Sequence, residues 1–414
     1  MSAMITVTAF AAVIVLITLI IIRYHFPPFP VLVGAALLYG IAVGNAGTVA
    51  GEITGGIGAV FALLGIPIYS GAIIAQALRD GGFVARIAAD LAAFLRRPAL
   101  ASGFAGYLLS IPFMCCITPF ILLSPIIDQF TTDLEGKKRL LYVAAFGSVV
   151  SFVLLFPLPV TLAVVEGAVS GPFRETVYAP LAVLISLSVL LLGIRAIGGK
   201  GISADPPGPH PVGISRTRAW LPIALPIVLI LAGILLPGPG PLQSVSVALF
   251  AGAIAAILIV PEETRMHVLA SGTKHAGIIL LDICGAGALG GVVAASTFAS
   301  DLVGAIAGYV PLILVPFILA AMVQTAQGSR VVTAVVSSAI IADTPVVLSV
   351  PPIPLVLMIS AGTLVVSYVS DPYFWLIRRE TEDSLTAMVR NYTLPLASAG
   401  VVIFVTGLLI NLVS

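Results

Sequence analysis

Residues 323–332 read Val-Gln-Thr-Ala-Gln-Gly-Ser-Arg-Val-Val, a polar break between apolar runs near residues 303–325 and 331–350. Within it lies Arg330, and a charge at the centre of a bilayer costs at least about 2.5 kcal/mol on insertion scales. Gln327-Gly328-Ser329 can unwind the backbone, and Ser329 can cap the helix that follows, whose free N–H groups and positive dipole end would then face an anion. Gln327, Arg330, Thr333 and Ser337 recur at spacings of three and four, which gives the segment one polar face. A carboxylate substrate fits that face. The competing reading is a structural arginine that pairs with a buried acid or snorkels to the interface.

The surrounding composition sets the environment of this break. The chain has 414 residues, 59% of them apolar and 9% charged, against roughly 45–50% and 25% in soluble domains. A water-soluble fold is excluded, and the lipid bilayer is the expected partner. At about 20 apolar residues per crossing, the length accommodates on the order of ten to twelve spans. A net charge of +1 provides no broad positive field, so no nucleic-acid partner is expected. Ile5 to Ile22 has no preceding basic residue and no small-residue cleavage site, which reads as a retained transmembrane helix. Cys115, Cys116 and Cys284 lie in apolar stretches without a histidine beside them. Neither a disulfide framework nor a metal site is expected, and nothing calls for a cofactor.

The internal boundary is RAIGGKGISADPPGPHPVGISRTR, Arg195 to Arg218, whose Gly, Pro and basic residues suit a loop between two bundles. The expected organisation is a first membrane repeat over 1–195, a cytoplasmic linker over 196–218 and a second membrane repeat over 219–414. Near-equal hydrophobic halves suit an inverted-repeat transporter, and two pairs of matching features support the parallel. Gly55 to Gly82 and His275 to Thr297 are glycine-rich hairpin candidates. Each precedes a break: Ile111 to Pro125, where Pro112, Pro119 and Pro125 interrupt the helical ladder, and Val323 to Val332. Basic clusters at Arg195 to Arg218 and at Arg378, Arg379 and Arg390 predict cytoplasmic loops and external termini. Arg86/Arg96/Arg97 and Lys137/Lys138/Arg139 also read as cytoplasmic, in a multi-pass protein of the inner (cytoplasmic) membrane.

Asp282 and Asp343 are acids in apolar surroundings and candidate proton-coupling sites. For Asp343, a turn or cap at Asp-Thr-Pro is the stronger reading; Asp282 is balanced between a proton site and a hydrogen-bonding role. Asp371, before Pro372, is expected as a helix cap or a substrate contact. Cys115 and Cys116 read as small packing residues, and Thr118 is the better polar contact of the first break. Gly285 to Gly290 matches GxGxxG but follows no strand, and Gly287 and Gly291 better suit close helix approach. No GxxxxGK[ST], HExxH or GxSxG pattern occurs, so no enzyme is expected.

At Ala326-Gln327-Gly328-Ser329 with the small, hydroxyl-rich Thr333 to Ala342, and at Ser367-Tyr-Val-Ser-Asp371-Pro-Tyr-Phe374-Trp375, the sequence resembles the gluconate permease family of the ion transporter superfamily. That family's late motif reads Ser-His-Val-Asn-Asp-Ser-Gly-Phe-Trp, matched here at Ser367, Val369, Asp371, Phe374 and Trp375. Gly71 to Gly82 and Gly285 to Gly291 are similar to its two glycine-rich hairpins. The resemblance implies a proton-coupled importer of gluconate or related sugar acids. It further implies an all-α polytopic fold of two inverted repeats with re-entrant hairpins and broken transmembrane helices, an elevator-type motion and a homodimer. This chain departs from the family pattern at Ile111 to Cys116, which carries no acid, and at Phe156 to Val160, which lacks a histidine. Gln324 stands at a family arginine position, and Arg330 replaces a small residue.

The resulting expectation is proton-coupled symport of a small organic anion. The substrate contacts would be Thr118, Gln327, Gly328, Ser329, Arg330, Thr333 and Asp371. The alternatives are a di- or tricarboxylate or inorganic oxyanion on the same fold, cation/proton antiport, and a non-transporting scaffold.

Overall fold

The computed structural model describes residues 3–24, 26–95, 97–127, 133–169, 173–198, 214–235, 244–298, 301, 304, 309–342, 344–368 and 371–413. Among them the secondary structure is entirely helical. Five helical stretches are long and apolar enough to cross a membrane: 49–80, 134–168, 175–198, 262–294 and 385–413. Seven shorter apolar helices accompany them.

The N-terminal elements are α1 (Ala3–Tyr24), α2 (Pro28–Ala42), α3 (Val49–Asp80), α4 (Phe83–Leu95), α5 (Pro98–Phe113), α6 (Ile117–Ile127), α7 (Leu134–Leu154), α8 (Pro159–Ala168) and α9 (Glu175–Gly198). Of the expected linker 196–218, residues 199–213 lie outside the described residues, and its two edges belong to the end of α9 and the start of α10 (Arg216–Leu235), which α11 (Val245–Ile259) and α12 (Glu262–Ala294) follow. These are followed by α13 (Val315–Gln327), α14 (Arg330–Ala342), α15 (Pro345–Ser349), α16 (Pro352–Val365), α17 (Pro372–Thr381), α18 (Leu385–Met388) and α19 (Leu394–Val413). Prolines open α2, α5, α8, α15, α16 and α17, where the missing N–H removes no helical bond and the ring presets φ.

The two glycine-rich stretches expected as hairpins are corrected: each belongs to a continuous helix, α3 of 32 residues and α12 of 33. Their glycines serve contact. A Cβ on Gly56 would lie 2.1 Å from the carbonyl oxygen of Gly287, and one on Gly287 would lie 2.4 Å from that of Gly56. The helices cross backbone to backbone, as small-residue interfaces permit, and α3 and α12 form the most extensive contact between elements.

The breaks after Phe113 and Gln327 fall where polar or proline-rich sequence announces them. α5 stops at Phe113 with Met114 in the left-handed region, φ 50°. α13 stops at Gln327 with Gly328 at φ 69°, its N–H donating to the Gln324 carbonyl at 2.8 Å, a left-handed helix stop that glycine adopts without a Cβ penalty. α7 and α8 are separated by 155–158, where the Thr161 hydroxyl donates to the carbonyls of Leu155 and Leu158 at 2.8 and 3.0 Å. α16 and α17 are separated by 366–371, and the Thr393 hydroxyl donates to the Ser367 carbonyl at 2.6 Å. Each interruption leaves helix-end groups that need partners, and in a membrane such backbone is tolerated where protein buries it or a cavity faces it.

Candidate functional site

A cavity of about 280 Å³ lies among these interruptions. Its wall combines Met114 to Cys116 of the first break, Gly328 to Arg330 of the second, Asp371 and Tyr373 at the start of α17, and Asp282 of α12. α12 carries Asp282 on continuous helix, while the others stand where a helix begins or ends. At the second break the Ser329 carbonyl accepts the N–H of Thr333 at 2.9 Å, so α14 starts with its N-terminal end at the cavity wall. Anions are favoured at such an end.

Arg330, the first residue of α14, is buried with its side chain 3% exposed, and one end of its guanidinium enters an oxygen-rich corner. Nη2 donates to the Asp371 carboxylate at 3.0 Å, the Ser367 hydroxyl at 2.9 Å and the Tyr392 hydroxyl at 3.1 Å. Tyr392 in turn donates to the same Asp371 oxygen at 3.0 Å. The other Asp371 oxygen accepts the Tyr373 N–H at 2.9 Å and caps α17, so Asp371 is helix cap and ion-pair partner at once. Arg330 lines the cavity, and its buried Nε has no hydrogen-bond partner.

The remaining expected residues are distributed. The Thr333 hydroxyl donates to the Gln324 side-chain oxygen at 2.9 Å, and the Gln324 amide nitrogen has no partner; this polar pair is packed between α13 and α14. Thr118 is buried and lines a neighbouring cavity of about 530 Å³ with Arg79, Lys274 and His275. The two cavities follow each other along α3, α6 and α12: Ile68, Ile117 and Ile279 line the first, and Ala72, Thr118 and Ile278 the second. Gln327 ends α13, but its side chain and all of Asp343 lie outside the described residues.

Two contributors escape sequence reasoning. Ser367 lies within the quoted late motif, and its hydroxyl in that motif is the available signal. Tyr392 offers none, because it sits in a π-helical turn, Val389–Thr393, which shifts the phase that helical periodicity assumes.

The charges in the cavity wall determine what it can hold. Among the described residues of the wall, Arg330 and Asp371 cancel, so the half-buried Asp282, which receives the backbone N–H of Phe29, sets the balance. Ionised, it leaves the wall at formal charge −1; protonated, at zero. An incoming carboxylate meets repulsion in the first state and only the helix end and guanidinium in the second.

Comparison with known proteins supplies the context. Residues 4–190 and 242–413 match the profile described as GntP family permease. An uncharacterized permease of Haemophilus influenzae is 26% identical over 421 residues, covering 89% of this chain and 84% of its own length. The high-affinity gluconate transporter of Escherichia coli is 26% identical over 444 residues, covering 97% and 98%. The crystal structure of the Alcanivorax borkumensis YdaH transporter, described as having an unusual topology, superposes with a TM-score of 0.60 at 18% identity over 88% of each chain, a likeness of fold. With the profile spanning nearly its whole length and its apolar helices suited to crossing a bilayer, the chain belongs to the GntP permease family, a multi-pass membrane transporter.

Proposed function

We propose that the chain is a proton-coupled symporter of a small organic anion, with gluconate or a related sugar acid as its cargo, in the cytoplasmic membrane. The observation that carries this reading is the placement of Arg330, with its free Nε donor, and Asp282 in the wall of one cavity at the start of α14. The guanidinium and the helix end receive the carboxylate. A proton on Asp282 removes the one uncompensated negative charge of the wall, so anion and proton enter together. Ser329, Gly328, Gln327 and Asp371 are the proposed near contacts. Thr118 meets the cargo in the adjoining cavity, and Thr333 acts through Gln324. The E. coli relative at 26% identity supports the sugar-acid cargo.

The reading extends to the architecture. Residues 1–195 and 219–414 form two repeats of opposite orientation joined by 196–218. α5 with α6, and α13 with α14, are the short re-entrant elements, since a 13-residue helix spans about 20 Å against a hydrocarbon core of about 30 Å. A second reading, cation/proton exchange, is favoured by one feature, the formal charge of −1 when Asp282 is ionised.

Uptake of labelled gluconate and a panel of di- and tricarboxylates, inorganic oxyanions and cations into proteoliposomes, with and without an inward proton gradient, separates the two. Accumulation of a sugar acid only with the gradient supports symport. Cation movement against protons with no anion uptake supports exchange and overturns symport.

A further inference from the structure

A cavity of about 680 Å³ lies away from the site, between α7, α9 and α19. Its two ends differ in chemistry. Phe146, Leu192, Leu394 and Val402 form an apolar trough, while Arg139 and Arg390 stand together at one end. Arg390 is exposed and has no ion-pair partner among the described residues. Arg139 has only a loose contact with Glu135, 3.8 Å, with Arg139 40% and Glu135 66% exposed, a pair that adds little in water. Two arginines against one exposed glutamate leave this end net positive.

A trough of this kind on a membrane protein is filled by lipid, and the cations at its end select which lipid. Basic residues near a membrane surface attract anionic headgroups by about 1 kcal/mol each, and the planar guanidinium suits phosphate oxygens. Lys137/Lys138/Arg139 and Arg390 both belong to clusters that the positive-inside rule puts on the cytoplasmic side, so the charged end is at headgroup depth and the trough runs into the hydrocarbon. We propose that this groove is a binding site for an anionic phospholipid, its phosphate held between Arg139 and Arg390 and an acyl chain lying along Phe146, Leu192 and Val402. Asn391 also lines the groove, and the next residue, Tyr392, bonds Arg330 and Asp371. The lipid therefore braces the outer side of the turn whose inner side completes the buried ion pair.

The test uses the full chain in detergent, stripped of lipid, and follows thermal unfolding as phosphatidylglycerol or phosphatidylcholine is added. Phosphatidylglycerol raises the unfolding temperature of the native chain by about 3 °C or more, and phosphatidylcholine does not. The double variant Arg139→Gln/Arg390→Gln loses roughly 30-fold in apparent affinity for phosphatidylglycerol, the equivalent of two cations at about 1 kcal/mol each. Arg378→Gln, which removes a cation stacked on Trp375 instead, keeps the response. Ser398→Trp, which fills the groove without touching its charge, abolishes the response and guards against misfolding of the double variant. Equal stabilisation by both lipids, or an unaltered response in the double variant, overturns the proposal. So does disulfide formation between copies carrying Val402→Cys in native membranes, which would assign the groove to a subunit interface.

Discussion

Arg330 and Asp371 meet at 3.0 Å across 41 residues of sequence, each at the first turn of a helix that follows a break, with side chains 3% and 1% exposed. Their pairing joins the second and fourth interruptions of the helical scaffold into one corner. Burying two charges is tolerable because each is hydrogen-bonded on more than one side.

Removing one partner leaves the other charge buried and alone. Arg330→Gln and Asp371→Asn are each expected to destabilise the protein by about 3–5 kcal/mol. The combination Arg330→Gln/Asp371→Asn recovers most of that loss while uptake stays abolished. Thermal unfolding in detergent checks the first statement and proteoliposome uptake the second. A double variant no more stable than the worse single one would show that the pair does not act as a unit.

Tyr392 holds the pair from the π-turn. Tyr392→Phe removes a donor to Asp371 and an acceptor for Arg330, at an expected cost of about 1–3 kcal/mol, and weakens apparent substrate affinity. Tyr178→Phe serves as a comparison: it removes a buried hydroxyl that bonds the Leu154 carbonyl, and is expected to lower stability without changing the apparent KM.

Asp282 is the proposed proton carrier. With Asp282→Asn the wall is permanently neutral, so uptake is expected to fall to the level seen without a gradient while exchange of labelled for unlabelled substrate continues. Uptake driven as strongly by the gradient as in the native chain would remove Asp282 from the coupling mechanism.

The crossing of α3 and α12 is expected to be intolerant of a single methyl group. Gly56→Ala introduces a Cβ 2.1 Å from a backbone oxygen and should destabilise by about 1–3 kcal/mol. Gly277→Ala, on the same α12 but with nothing within 4 Å of its Cβ, should be neutral or stabilising by up to about 1 kcal/mol. Parallel unfolding curves decide.

A pH-dependent contact joins α4 to α10. Asp90 accepts from Trp220 Nε1 at 3.1 Å and Arg216 Nε at 3.0 Å, with Arg86 3.3 Å away. Partial burial pushes its carboxyl up, but the hydrogen bonds from Trp220 and Arg216 and the nearby positive charges outweigh this and hold it below the usual carboxylate value. A depressed folded-state value means that the contact contributes fully above the unfolded value of about 3.9 and is lost as pH falls through the lower folded one. The stability gap between the native chain and Asp90→Asn should therefore be constant near neutrality and close only in strong acid. A gap that closes between pH 7 and 5 contradicts this assignment.

The fold class is legible in composition and hydropathy, and the breaks at Met114 and Gly328 are legible because glycine, proline and polar residues inside an apolar run have few other uses, whereas the one at 155–158 lies within a run that reads as continuously apolar. The glycine-rich stretches mislead for a physical reason: glycine permits a tight turn and a close helix crossing equally, and only the partner at Gly287 decides for Gly56. Arg330 stands out in sequence, but its neutralisation by Asp371 depends on how two separate helix starts are brought together. The relation of Gln324 to Thr333 is similarly tertiary, although nine residues separate them. The grouping of Asp282 with Arg330 follows from the packing of α12 against α14, which no local pattern encodes.

The π-turn at Val389–Thr393 holds one residue more than an α-helical turn, so everything beyond it is rotated by about 100°. Shortening this stretch by one residue would leave hydropathy, helix length and membrane span almost unchanged, yet it would swing either Tyr392 away from Asp371 or the contact face of α19 away from α16. The segment thus works as a phase adjuster: its length in residues, more than its composition, keeps the outer helix and the buried ion pair in step.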